Sequence, residues 1–168
     1  MLYYIKQNIV INECKGESIM IVLKGIDEEN YNKITSLKIH NYQENFVPPA
    51  VNIMARAYAW RKKNAIAYAI YKDQKAIGIV LTLEEKNYYV INQFLIDSEY
   101  QNLGYGEKAL LVLIDLLRKE KKYNSIHLSV IKTNTIALKL YKKLGFSQID
   151  FYDPNKQDSI HFEYVFKQ

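Results

Sequence analysis

A chain of 168 residues, 49% hydrophobic and 24% charged, supports one sizeable core and falls outside the disordered and fibrous classes. Its net charge of +5 gathers in Arg61-Lys62-Lys63 and Arg118-Lys119-Glu120-Lys121-Lys122, both at the C-terminal ends of predicted helices, where cations complement the dipole; this reads as solvated helix ends and predicts no nucleic-acid partner. One cysteine, Cys14, excludes an internal disulfide framework and a Cys-rich zinc site, His40, His127 and His161 lack metal-ligand spacing, and no apolar run nears the ~20 residues of a membrane span.

In chain order, Met1 to Asn8 has neither the basic start nor the apolar stretch of a secretory signal, which predicts a cytoplasmic protein with no membrane partner. Residues 1–18 read as an N-terminal extension of doubtful status, and residues 19–168 as a single domain. In a bacterial gene the codons of Lys15-Gly16-Glu17 can spell a purine-rich ribosome-binding sequence, with Ser18 and Ile19 as spacer. Translation is therefore expected to start at Met20, and a chain beginning there is expected to fold and work as well as the full one. The competing expectation is that Ile9-Val10-Ile11 forms a strand pairing with a sheet edge or a partner subunit, as in a homodimer.

Ser18 to Ile26 reads as a strand, and Asp27 as the N-cap of a helix from Glu28 to about Ile39. A polar and aromatic loop, Asn41 to Val47, leads to Pro48-Pro49, which open a helix from about Ala50 to Lys63. Ala65–Tyr71 and Ala76–Leu83 read as a hairpin around residues 72–75, and a turn at 84–87 leads into the strand Tyr88 to Ile96. A helix from about Gly104 to Lys121 and a strand from Ser125 to Ile131 follow. Next come a short helix after Asn134 and two strands, Phe146–Tyr152 and Ile160–Phe166. A hairpin series followed by strand–helix–strand predicts an α/β fold with a mixed, mostly antiparallel central sheet and helices on both faces.

The segment from Phe94 to Glu107 concentrates the chemistry. A strand ending in Phe94-Leu95-Ile96 runs into a loop with Gln101, Gly104 and Gly106, and the loop runs into a helix. Such a junction aims several backbone N–H groups and the positive end of a helix dipole at one place, which is an anion site. Glycine lets the backbone come close to the anion. The spacing is Gln-x-x-Gly-x-Gly; it lacks the Gly-Lys-Ser/Thr of a Walker A loop and the third glycine of a dinucleotide fingerprint.

The second element is Asn134-Thr135-Ile136-Ala137-Leu138-Lys139-Leu140-Tyr141-Lys142-Lys143-Leu144-Gly145-Phe146. Its apolar positions 136, 137, 140, 141 and 144 share one helical face, and Gly145 stops the helix. Together the two segments resemble the GNAT N-acetyltransferase superfamily, with its Gln-x-x-Gly-x-Gly loop and later Asn-x-x-Ala-x-x-x-Tyr-x-x-x-Gly-Phe helix. Within it the chain is most similar to bacterial spermine/spermidine-type acetyltransferases. The resemblance covers nearly everything from Ile19 onward.

That resemblance implies the GNAT fold, acetyl-CoA as co-substrate and transfer of its acetyl group to a primary amine by direct attack in a ternary complex. It implies that N–H groups around Gln101, Asn102, Leu103, Gly104, Tyr105, Gly106 and Glu107 hold the pyrophosphate. Phe94, Leu95 and Ile96 would hydrogen-bond the pantetheine, with Asn134 as a further contact or as a helix cap. Tyr141 would be the general acid toward the CoA sulfur, or else a core aromatic. The general base is left unassigned. Asn92 occupies the position where polyamine acetyltransferases of the superfamily carry an acid, and an amide cannot accept a proton at neutral pH. The nearby acids are Glu44, Glu84, Glu85, Asp97 and Glu99.

The segment Asn45 to Val51 with Ala55-Arg56-Ala57-Tyr58 resembles the acceptor-lining part of the spermine-type enzymes. A polyamine or other small amine is the expected acceptor, with Glu44, Glu84 and Asn92 as its contacts. A protein α-amine, a lysine or an antibiotic amine is the alternative, favoured by an open groove without an acidic cluster. A non-catalytic acetyl-CoA-binding protein is the second alternative. The three histidines read as structural or surface residues.

Overall fold

Alternating apolar residues build the sheet of the computed structural model, which describes residues 20–151, 153–154 and 156–167. The expectations about residues 1–18 lie outside these described residues. The strands are β1 (Ile21–Gly25), β2 (Ile66–Lys72), β3 (Lys75–Glu85), β4 (Tyr88–Ile96), β5 (Ser125–Ile131), β6 (Ser147–Ile149) and β7 (Ser159–Val165). They form one sheet in the order β1-β2-β3-β4-β5-β7-β6, antiparallel throughout except for the parallel β4/β5 pair.

Strand periodicity sends successive side chains to opposite faces, and each face meets its own helices. Val22, Ala69, Tyr71, Ile79, Leu81 and Leu95 pack under α1 (Tyr31–Thr35) and α2 (Ala50–Ala59) through Ile34, Ala50 and Ile53. The other face, with Ile21, Leu23, Ile70, Val80 and Ile91, receives Leu110, Leu113 and Leu117 of α3 (Tyr105–Glu120) and Tyr141 of α4 (Thr135–Lys143).

Several elements differ from the sequence expectation for local reasons. The helix expected over 28–39 shrinks to Tyr31–Thr35. The Asp27 carbonyl accepts the Tyr31 N–H at 3.0 Å, but Asn30 also donates from Nδ2 to the Gly25 carbonyl at 2.8 Å and accepts the Asp27 N–H at 3.1 Å, which ties 28–30 into a turn ahead of the helix. Beyond it the chain is pulled straight: the Asp97 carboxylate accepts the Lys38 N–H at 2.8 Å, and the Ser98 N–H donates to the Lys38 carbonyl at 2.9 Å. The Pro49 carbonyl accepts the Asn52 and Ile53 N–H groups, which makes Pro49 the cap of α2. That helix ends at Ala59, followed by a tight 3-10 turn at Arg61–Lys63 closed by Asn64 at φ 49°. The last hairpin keeps only Ser147–Ile149 of its expected first strand.

β3 is longer than expected and carries Glu84 and Glu85 on the strand. Glu84 accepts hydrogen bonds from Asn64 Nδ2 (2.7 Å), Lys122 Nζ (2.5 Å) and Tyr123 Oη (3.3 Å), while Glu85 pairs with Lys63. Burial pushes the Glu84 carboxyl up, but the Lys122, Asn64 and Tyr123 hydrogen bonds and the Lys122 charge outweigh it, leaving it below its ordinary value. A depressed carboxylate contributes stability above its unfolded pKa and loses it as pH falls through the folded value. Glu84→Gln is therefore expected to lower Tm at pH 7 by roughly 2–4 °C. The gap should close below about pH 4. Thermal melts of both proteins across pH check this; a gap that stays constant to pH 3 would show that the charge of Glu84 is irrelevant.

Candidate active site

β4 contains the feature on which the site is built. Across the β3/β4 pair Leu81 faces Gln93 and Thr82 faces Ile91, so Asn92 is an extra residue bulged out of the ladder. The bulge switches the strand's parity. Tyr89 and Ile91 point to the α3 face before it; after it Ile96 points there and Leu95 points to the α2 face. Asn92 itself is reached from α2 by Arg56, whose Nη1 lies 3.4 Å from Asn92 Oδ1.

β4 and β5 then part. Their register holds only Tyr89 with Ile126 and Val90 with His127, so β4 from Ile91 to Ile96 has no strand along its β5 side. Backbone N–H and C=O groups on that side are available to a ligand. The gap widens into a cleft of about 740 Å³. One wall is β4 and the other is β5 from Leu128 to Ile131. The segment between α1 and α2 (Ile39, Gln43, Phe46, Val47) and the β6–β7 loop (Lys156 to Ser159) flank it.

The loop after β4 closes one end. Asp97 accepts the Glu99 N–H at 3.0 Å and caps a 3-10 turn at Ser98–Tyr100. Gln101 donates from Nε2 to the Ile96 carbonyl at 2.8 Å and to Gln43 Oε1 at 2.9 Å, tying loop, strand end and the α1–α2 segment together. Asn102 (φ 59°) and Gly104 (φ 79°) turn the chain left-handed into α3. The first helical hydrogen bond is Lys108 N–H to the Gly104 carbonyl. Among the described residues, no acceptor meets the N–H groups from Gln101 to Glu107. A row of free N–H groups at the positive end of a sixteen-residue helix is an anion cradle.

Beside this loop stands α4, tied to it by the Lys143–Glu107 ion pair. Asn134 accepts the Ala137 N–H at 3.2 Å, so it caps the helix while also lining the cleft. Tyr141 is 7% exposed, packs edge-on against Phe146 at 5.4 Å and lines the cleft. Among the described residues nothing hydrogen-bonds its hydroxyl, and burial pushes its pKa far up, so it holds its proton at any ordinary pH.

The structure thus brings together Asn92, Phe94, Leu95, Ile96, Gln101, Asn102, Gly104, Gly106, Glu107, Asn134 and Tyr141. Leu103 is exposed to solvent and Tyr105 is buried beside Tyr100, so their side chains do not line the cleft. Glu44 and Glu84 also lie off it: Glu44 is exposed, and Glu84 is held by Lys122. Asp97 and Glu85 are engaged elsewhere and Glu99 is exposed. The cleft's acids are Glu107, paired with Lys143 at 2.5 Å, and Asp158. His127 lies outside it, stacked on Tyr88 at 3.8 Å and bonded to Glu163 at 3.0 Å. No group of three or more His, Cys, Asp or Glu among the described residues could hold a metal.

Trp60 is a site residue for which the sequence reading assigned no role, and Arg56 entered it only as part of the acceptor-lining stretch 55–58, with no chemistry of its own. The helical period carries the signal: Arg56 and Trp60 sit at +3 and +7 from Ile53, which faces the sheet.

Comparison with known proteins agrees with this fold. The family model described as acetyltransferase (GNAT) family matches residues 31–146. The spermine/spermidine N(1)-acetyltransferase of Bacillus subtilis (strain 168) is 38% identical over 64 residues, which is 36% of this chain and 42% of the relative's length. The PaiA N-acetyltransferase of Thermoplasma acidophilum, solved in complex with coenzyme A, superposes with a TM-score of 0.63 at 15% identity, over 87% of this chain and 99% of that one. The GNAT domain of S. lividans PAT superposes with a TM-score of 0.72 at 13% identity, over 95% of this chain and 97% of that one.

Proposed function

The chain belongs to the acetyltransferase (GNAT) family, and on that premise we propose that it is an N-acetyltransferase moving the acetyl group of acetyl-CoA to a primary amine by direct attack. The observation that carries this reading is the coincidence, in one cleft, of a free N–H row, an unpaired strand edge and a buried, protonated tyrosine.

The donor set fits the co-substrate. The N–H groups of 101–107 suit a pyrophosphate, and left-handed Gly104 lets the backbone approach it. The open edge of β4 offers amide partners to a pantetheine arm, and Asn134 stands across the gap. Acetyl-CoA supplies a thioester, an acyl group already activated toward amines.

The protein's own work is positioning and proton transfer. As the amine nitrogen bonds to the acetyl carbon, the carbon–sulfur bond breaks. The amine's proton leaves toward solvent, with Asp158 as the cleft carboxylate that has no ion-pair partner among the described residues. Tyr141 gives its hydroxyl proton to the departing sulfur and recovers one from water. Burial keeps Tyr141 protonated across the working pH range and also makes it a weaker acid, so its proton moves only as negative charge gathers on the departing sulfur.

The acceptor enters from the α2 side, where the α1–α2 segment and the β6–β7 loop face each other. Glu44, Glu84 and Glu85 lie off the cleft and lend no support to a polycationic acceptor, so the reading is a primary amine of a class that these acids do not select. The test is release of CoA thiol from acetyl-CoA in the presence of an amine panel that includes spermidine, spermine and amino acids. Thiol release above the amine-free rate with at least one amine is the expected result; an amine-independent rate with all of them would overturn the reading.

A further inference from the structure

Resting on that reading, we propose that the acceptor carries a carboxylate close to its amine, and that Arg56 is the residue that selects it. Arg56 is half-buried in the wall of the cleft, at the bulge where β4 leaves β5. Its guanidinium lies over the Trp60 ring at 5.3 Å and reaches Asn92 Oδ1 at 3.4 Å. The ring lies against the fork, and Asn92 engages one of its five N–H donors at long range. No carboxylate among the described residues is in ion-pair distance of it.

A planar, oriented and uncompensated guanidinium in a cleft matches a carboxylate, which it grips with two parallel bonds. Lys156 on the facing loop, bonded to Ser129 Oγ at 3.1 Å, adds a second positive group to the same space. The opposing charges are Glu107, neutralised by Lys143, and Asp158, the one further carboxylate among the described lining residues. This balance disfavours a bare polyamine and leaves Asp158 to meet the acceptor's ammonium group while the acceptor's carboxylate meets Arg56.

Matched acceptors isolate the carboxylate: lysine against cadaverine, ornithine against putrescine, β-alanine against propylamine, with spermidine beside them. The expected result is a kcat/KM at least about ten-fold higher for the acid in an accepted pair, as a charge-assisted bond supplies. Arg56→Ala should erase that preference through the acceptor's KM while the KM for acetyl-CoA stays put, and Arg56→Lys should restore part of it. Equal rates within pairs, transfer to spermidine but to no carboxylate, or an Arg56→Ala defect confined to acetyl-CoA would overturn the proposal while sparing the acetyltransferase reading. Failure of every amine to raise thiol release would instead remove the reading beneath it.

Discussion

Replacing Tyr141 by phenylalanine is expected to lower turnover by about ten-fold or more. Affinity for acetyl-CoA is expected to stay within about two-fold. The ring keeps its edge contact with Phe146 and its place on the buried face of α4, so the fold is not at issue. What disappears is a hydroxyl that no described residue engages and that burial keeps protonated. The variant should melt like the parent, since deleting an unpartnered hydroxyl costs no internal hydrogen bond. Steady-state kinetics with the best acceptor decides the matter: turnover within two-fold of the parent would make Tyr141 a core aromatic and send the search for the acid elsewhere.

Gly104→Val should abolish binding of CoA without unfolding the protein. Gly104 sits at φ 79°, a region that a β-branched residue occupies only under strain. Among the described residues nothing but its chain neighbours lies within 4 Å of where its Cβ would be, so the added side chain meets open space and not the core. That space adjoins the free N–H row from 101 to 107, where an anion must come close. Calorimetric titration with CoA should show no measurable heat of binding, against a clear isotherm for the parent, while circular dichroism stays native. Undiminished affinity would reduce the loop to an ordinary strand–helix turn.

The left-handed loop that leads into α3 is legible in the sequence because its requirements are local. Only glycine supplies φ 79° there without strain, and strand, loop and helix follow each other directly. Tyr141 and Asn134 were legible for the same reason, lying at fixed offsets along one short helix. The acceptor side was not. Asn92 was found by counting back from Phe94-Leu95-Ile96, but that it is a bulge depends on the register with β3, which no single segment displays. Arg56 comes to the cleft from a separate helix, and its importance lies in the partners it lacks.

The carboxylates show the converse. Glu84 and Glu85 stood in the right stretch of chain to serve an amine, but Lys122 and Lys63 hold them away from the cleft. The short α1 follows the same logic, since Asn30 turns its side chain on the backbone and the Asp97 carboxylate draws Lys38 straight. Periodicity reports the face a residue occupies, whereas pairing between distant segments decides which polar groups remain free.

A crystal structure of the protein with CoA bound tests the central claim most directly. The account predicts the pyrophosphate on the N–H groups of residues 101–107, the pantetheine arm along the open edge of β4, and the sulfur within hydrogen-bond reach of the Tyr141 hydroxyl. CoA bound elsewhere, or bound in the cleft with its sulfur turned away from Tyr141, would contradict it.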